Sequence, residues 1–173
     1  MLSLDISTPR LVLRPVSTTD AHAITVHVAD PRIHRNVGRI PPGQTQDQTL
    51  AFLKTVQDGH AAGTDHVCAI ERKGELVGCV GAHRASRRDL YELGYWIAPT
   101  AWGEGYATEA AHALMDRLQA RAGMRAMTAG HFVDNPVSGR VLRKLGFLPC
   151  GRRPFHSLGR GADVERRDMI WVA

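Results

Sequence analysis

The chain has 173 residues, carries 22 Lys and Arg against 17 Asp and Glu for a formal charge of +5, and holds three cysteines, Cys68, Cys79 and Cys150. That length suits one compact domain burying roughly two thirds of its unfolded surface, and the cysteines form no close pair and share no metal-ligand spacing with histidine, which argues against a disulfide framework or a zinc site. Short scattered basic pairs (Arg87–Arg88, Arg152–Arg153, Arg166–Arg167) with only 6% aromatics argue against a nucleic-acid partner, and the lack of a signal peptide or of an apolar run near ~18 residues points to a cytoplasmic protein with no membrane partner.

Along the chain, Arg10 to Val16 alternates apolar with polar residues and predicts a strand ending at Pro15. Ser17 to Asp20 is a cluster of helix-capping residues, so a short helix is expected through Val28. After the Pro41-Pro42-Gly43 loop, Thr45 to His60 predicts a second helix with Leu50, Leu53 and Val56 on its apolar face, ending near Gly59. His66 to Arg72 and Glu75 to His83 surround Lys73-Gly74 as a hairpin, and Leu90 to Ala98 pairs with them, making the centre of the sheet antiparallel. A turn at Pro99 and Thr100, a loop punctuated by Gly103 and Gly105, and a helix with Ala107, Ala111, Leu114 and Leu118 on one face come next. Ala126 to Val133 is another strand. Asp134-Asn135-Pro136 starts a helix that Gly146 stops, and Phe147 to Arg152 and Val164 to Val172 are the last strands, joined by a loop of Gly, Pro and Arg. No internal repeat is present.

The run from Glu92 to Ala111 carries the most chemistry. Gly103 and Gly105 let the backbone bend tightly and approach a ligand, while the first turn of the following helix leaves N–H groups without internal partners. Roughly half a positive charge from the helix dipole adds to those donors, so the loop suits phosphate or pyrophosphate. A dinucleotide fold would place such a loop after its first parallel strand, with an acidic residue about twenty residues on, and a Walker loop would need Gly-Lys-Ser or Gly-Lys-Thr. Neither context is met.

Taken together, Pro9 to Pro15, Gly94 to Ile97 with Ala107 to Ala110, and Asn135 to Phe147 resemble the GNAT superfamily of acyl-CoA N-acyltransferases, in the branch of the RimJ and RimL ribosomal-protein N-terminal acetyltransferases. The resemblance spans nearly the whole chain. It implies an α/β fold of α+β type with a mixed, mostly antiparallel sheet of six or seven strands and about four helices. It also implies acetyl-CoA as cosubstrate, held in a V between two central strands, and no metal. Trp102-Gly103-Glu104-Gly105-Tyr106-Ala107, extended to Thr108, matches the family's pyrophosphate motif with Trp in its first place. Glu104 stands where relatives carry Lys or Arg; a carboxylate there opposes a pyrophosphate by ~1 kcal/mol if both are solvated near ~4 Å, so its side chain is expected to point outward.

By the same resemblance, the backbone of Tyr95, Trp96 and Ile97 pairs with the pantetheine arm and the thioester carbonyl, where an aligned N–H is worth ~3 kcal/mol to the tetrahedral oxyanion. Asn135 approaches the cofactor and the Ser138 hydroxyl its sulfur, as proton donor to the departing thiolate, although both residues also fit plain helix capping. Removing a proton from the substrate ammonium calls for a carboxylate or histidine facing the thioester. Glu92 is the first candidate, with His83 and His131 as alternatives on neighbouring strands. Cys68 and Cys79 sit in apolar strands with no histidine partner, which favours direct transfer over a thioester enzyme. The remaining histidines show no metal spacing, and the Arg152 to Arg167 loop, a candidate lining of the acceptor site, is expected to be a solvated loop.

The expected activity is therefore transfer of an acetyl group to a primary amine, either a protein N-terminus or a small molecule, with Val37 to Gln46 and Gly151 to Asp163 setting the choice. The implied assembly leaves room for a homodimer. A non-catalytic acyl-CoA or nucleotide-binding module is the competing class.

Overall fold

The computed structural model describes residues 2–84 and 89–173, so the Arg87–Arg88 pair lies outside the described residues. The order of elements is β1 (Ile6–Ser7), β2 (Val12–Pro15), a 3-10 turn (Thr18–Asp20), α1 (Ala21–Val28), α2 (Pro31–His34), α3 (Gln46–Ala62), β3 (Asp65–Arg72), β4 (Glu75–His83) and β5 (Tyr91–Ile97). A second 3-10 turn (Pro99–Ala101) leads to α4 (Tyr106–Ala122), β6 (Ala126–Phe132), α5 (Pro136–Lys144), β7 (Leu148–Ser157) and β8 (Ala162–Val172).

Local chemistry accounts for the boundaries. The Thr45 side chain accepts from the Gln48 N–H while the Gln48 side chain accepts from the Thr45 N–H, a reciprocal cap that starts α3, and Gly63 at φ 75° ends it in the left-handed conformation. Lys73 at φ 52° and Gly74 at φ 82° make the two-residue turn whose twist matches the β3–β4 hairpin.

The strands form one sheet in the order β1-β2-β3-β4-β5-β6-β8-β7. Every neighbouring pair is antiparallel except β5 with β6. Register assigns the faces. On one, Cys68, Ile70, Val80, Ala82, Leu93, Ile97, Met127, Ala129 and Met169 pack against Ala110, Ala111, Leu114 and Leu118 of α4 and Leu142 and Leu145 of α5. On the other, Val67, Ala69, Cys79 and the partly buried Trp96 pack against Ile24 and Val28 of α1, Ile33 of α2 and Leu53 and Val56 of α3. Each fully buried Leu or Val contributes about 1.5–3 kcal/mol, so both faces are firmly covered.

Among the described residues the sheet thus has eight strands and is accompanied by five α-helices, against the expected six or seven and four; the additions are the two-residue β1 and the single-turn α2. The larger correction lies at the C-terminal end. Residues 153–163, expected as loop, belong mostly to a long β7–β8 hairpin whose register runs from Leu148↔Ile170 to Ser157↔Ala162. Its prolines and glycine read as turn residues, but an edge strand needs ladder bonds on one side only and accommodates proline.

Candidate active site

The centre of the sheet is split. β5 and β6 pair only at Tyr91↔Met127, Glu92↔Thr128 and Leu93↔Ala129. Beyond that point β5 stays with β4 as far as Ile97, and β6 stays with β8 as far as Phe132, so the two strands diverge and leave a wedge. On the open side of β5, backbone groups between Gly94 and Ile97 have no β6 partner and are available to an extended ligand.

The glycine loop closes the narrow approach to α4. Gly103 at φ 84° and Gly105 at φ 81° hold conformations that other residues adopt only at a cost, and a Cβ added to Gly103 would meet nothing within 4 Å. Gly105 caps α4, so the first-turn N–H groups of Tyr106, Ala107 and Thr108 face outward without carbonyl partners from their own helix. The Trp102 indole donates to the Ile97 carbonyl at 2.7 Å and ties the loop to the end of β5. Glu104, like Trp102, Gly103 and Gly105 around it, is exposed.

A strap unseen in the motif holds this loop from behind. Arg10 donates to the Glu104 carbonyl at 2.9 Å and to the Glu109 carboxylate at 2.7 Å, and its guanidinium lies 4.9 Å over the Tyr106 ring. Partial burial works against the charge of Glu109, but hydrogen bonds from Thr8 and Arg10 outweigh it and hold the carboxyl below the usual carboxylate range.

On the α4–α5 face of the wedge, Tyr95 reaches across to the first turn of α5. Its hydroxyl sits 2.9 Å from Ser138 Oγ and 3.2 Å from the Ser138 carbonyl. Burial pushes the Tyr95 phenol up to about 12, so it keeps its proton at neutral pH. Asn135 Oδ1 accepts from the Ser138 N–H at 3.3 Å, capping α5 while fixing the serine. His131 also lies on this face. Its Nδ1 donates to the Phe132 carbonyl at 2.8 Å, which leaves a buried Nε2 lone pair against Gly139. Glu92 and His83 project from the opposite face, so the structure does not bring His131 together with them.

On that opposite face, register places His83 directly beside Glu92 and Gly81 beside Gly94, with Gly130 one step past the last β5–β6 pair. A Cβ on Gly94 would meet nothing within 4 Å, whereas one on Gly81 would strike the His83 ring and one on Gly130 the Arg166 guanidinium. The result is a trough floored by glycine and walled by His83 and Arg166. Arg166 is 7% exposed; its Nη2 donates to Glu92 Oε1 at 2.5 Å, and its Nε lies 3.0 Å from Asp168. Arg153 donates to the other Asp168 oxygen at 2.8 Å. His83 Nδ1 donates to Asp65 Oδ1 at 2.7 Å. Val37 to Gln46 borders the same face, since Gly38 packs against the Phe155 ring and accepts from the Leu158 N–H at 3.0 Å. Arg166, Asp65 and Arg10 were invisible as site residues because their partners lie 74, 18 and 99 positions away.

Burial pushes the Cys68 thiol up to about 12 and the Cys79 thiol higher still, so neither is a thiolate nucleophile at neutral pH. Among the described residues, no group of three or more His, Cys, Asp or Glu is placed to hold a metal ion, and no helix is long and apolar enough to cross a membrane.

The acetyltransferase (GNAT) domain family matches residues 10–148, from the strap arginine to the first residue of β7. The chain belongs to the GNAT acetyltransferase family. It is 29% identical over 149 residues to the uncharacterized N-acetyltransferase YoaA of Bacillus subtilis (strain 168), covering 84% of each chain. In fold this GNAT chain is similar to RimL, the ribosomal L7/L12 alpha-N-protein acetyltransferase solved with coenzyme A, at a TM-score of 0.86 and 18% identity over 97% of both chains. It is also similar to the microcin C7 self-immunity acetyltransferase MccE solved with acetyl-CoA and AMP, at a TM-score of 0.83 and 15% identity over 96% of this chain and 94% of that one. As a GNAT enzyme it is an N-acetyltransferase with acetyl-CoA as cosubstrate. The cradle fits that molecule, for it offers outward N–H donors at a helix N-terminus to the phosphates and an unpaired strand edge to the arm behind them.

Proposed function

We propose that this N-acetyltransferase, working as a single domain, lets acetyl-CoA and the amine meet in the β5–β6 wedge from opposite faces of the sheet, with direct transfer between them. The observation that carries the reading is the wedge itself, with Tyr95 and Ser138 on one side and Glu92 on the other. The backbone N–H groups of Gly103, Gly105, Tyr106, Ala107 and Thr108 hold the pyrophosphate, with Trp102 and Glu104 at its margin. The backbone of Tyr95, Trp96 and Ile97 aligns the pantetheine and the thioester oxygen, and one N–H aimed at that oxygen is worth about 3 kcal/mol as charge develops there. Asn135 orients Ser138, whose hydroxyl protonates the departing sulfur while Tyr95 remains hydrogen-bonded to it. Glu92, held by Arg166, draws the acceptor ammonium into the trough.

The acceptor is a primary amine. A protein N-terminal amine is the reading that the similarity to RimL supports, and an open trough over Gly94 admits an extended chain end. Release of CoA thiol against a panel of N-terminal peptides and small amines tests it. Turnover with peptides and not with small amines is the expected pattern, and the reverse overturns the peptide reading. Ser138→Ala should lower kcat about 100-fold while leaving CoA affinity within about twofold; unchanged turnover removes Ser138 from the chemistry.

A further inference from the structure

We propose that His83, oriented by Asp65, is the group that takes the proton from the acceptor amine, a role the sequence pattern pointed first to Glu92. This rests on the acetyl-transfer reading above. Both oxygens of Asp65 are committed: Oδ1 accepts from His83 Nδ1 at 2.7 Å and Oδ2 from Thr64 Oγ1 at 2.9 Å. The carboxylate is also clamped from above, because α3 passes over it so closely at Gly59 that no Cβ would fit there. A carboxylate on Nδ1 fixes the tautomer. The proton is on Nδ1, and the Nε2 lone pair leans over Gly81, 2.9 Å from where a Cβ would stand.

Gly81 is the register partner of Gly94, whose own Cβ position is open. Nε2 therefore faces the empty part of the trough, one to three residues along β5 from the Tyr95–Ile97 edge where the thioester lies. At ~3.3 Å per residue that distance is within reach of the amine directly or through one water. Glu92 stands beside His83 on the same face, but its Oε1 is already bonded to Arg166 at 2.5 Å. That bond commits the carboxylate oxygen to Arg166, whereas His83 Nε2 has no such partner in the trough among the described residues. The charged and titratable groups around His83 are Asp65 and the neutral His66 on β3, Glu92 on β5, Arg166 across the trough with its partner Asp168, Arg84 next in the chain, and His60 from α3, which bonds His66 at 2.9 Å.

The transfer balances as follows. His83 Nε2 accepts one proton from R–NH3+, and the freed nitrogen pair forms the N–C bond to the acetyl carbonyl. The C–S bond breaks with its electron pair on sulfur, which gains a proton from the Ser138 hydroxyl, and the second proton that the nitrogen loses on becoming an amide passes through water to Ser138 and restores it. His83 then gives its proton to solvent.

The test measures CoA-thiol release by the full chain across pH, with CoA affinity by calorimetry as the control for folding. His83→Gln should lower kcat about 100-fold or more with CoA affinity unchanged, and the acid limb of the wild-type pH–rate profile should disappear. Free imidazole should restore part of the activity of His83→Ala, an effect that a packing role would not produce. Asp65→Asn should lower kcat about tenfold with KM for acetyl-CoA unchanged, as expected of a positioning residue. Wild-type turnover with kcat and acid limb retained in His83→Gln, or an acid limb lost in Glu92→Gln instead, overturns this assignment alone. A wild-type protein that releases CoA thiol with no amine overturns both the acetyl-transfer reading and this one.

Discussion

Arg10 illustrates how a single side chain more than ninety positions away in sequence can govern the glycine loop. It joins the segment before β2 to the glycine loop by donating to the Glu104 carbonyl, anchors itself on Glu109, and stacks on Tyr106, whose ring is also approached by Arg72 at 5.6 Å. Loop geometry is thereby set before any ligand arrives, so less ordering entropy opposes binding. Arg10→Ala should raise KM for acetyl-CoA about tenfold, equivalent to ~1.4 kcal/mol, with kcat within about twofold because no reacting atom is touched. A fall in kcat with unchanged KM would show that the strap acts on the chemistry instead. In the sequence Arg10 reads as an ordinary polar position in an alternating strand. Only the fold brings it within 2.9 Å of Glu104.

Among the elements, α5 depends on a glycine for its position. Gly139 lies over the His131 ring so closely that a Cβ would fall 2.7 Å from Nε2, and that ring is pinned by its bond to the Phe132 carbonyl. Alanine is the better helix former by about 1 kcal/mol, but overpacking costs about 1–3 kcal/mol, so Gly139→Ala should destabilise on balance. It should also push α5 from β6 and loosen the Ser138–Tyr95 bond, lowering kcat. Urea unfolding of Gly139→Ala and of Gly139→Ala with His131→Ala measures this; the double variant should recover stability relative to its additive expectation. The existence and approximate span of α5 were legible from Asn135-Pro136 and Gly146, since capping is local chemistry. The length of β7 was not, because its Pro and Gly residues carry the same local signal in a loop and in an edge strand.

Across the whole molecule, pH-dependent stability follows from groups buried where α3 and the first strands meet the sheet. His66 is buried, bonded to His60 at 2.9 Å and to Tyr91 Oη at 3.0 Å, and burial first, then the nearby His60 and Arg84 charges, push it down to about 4. The unfolded chain binds a proton at this site near the ordinary value of 6.5 while the folded chain does not, so stability is complete above that value and declines as pH falls toward 4. The loss is about 3 kcal/mol. Asp20 behaves in the same direction at lower pH. Burial opposes its charge, hydrogen bonds from Arg14 and Ser17 outweigh that and hold it below its ordinary 3.8, and its stabilisation is lost as pH falls through the folded value. The urea midpoint of the wild type should drop between pH 6.5 and 4, and His66→Gln should flatten that drop. An equal drop in the variant would place its source elsewhere. The glycine loop, the capped helices and the hairpin at Lys73-Gly74 were decided by the sequence alone, because each depends on residues adjacent in the chain, and the family was legible as a resemblance in the stretches Pro9 to Pro15, Gly94 to Ala110 and Asn135 to Phe147. Tertiary structure alone decided that β5 parts from β6 after Leu93, that His83 and Glu92 share a face while His131 does not, and that Arg166 holds Glu92. Strand register and the pairing of residues 74 positions apart are set by packing of the two sheet faces, and no local pattern encodes them.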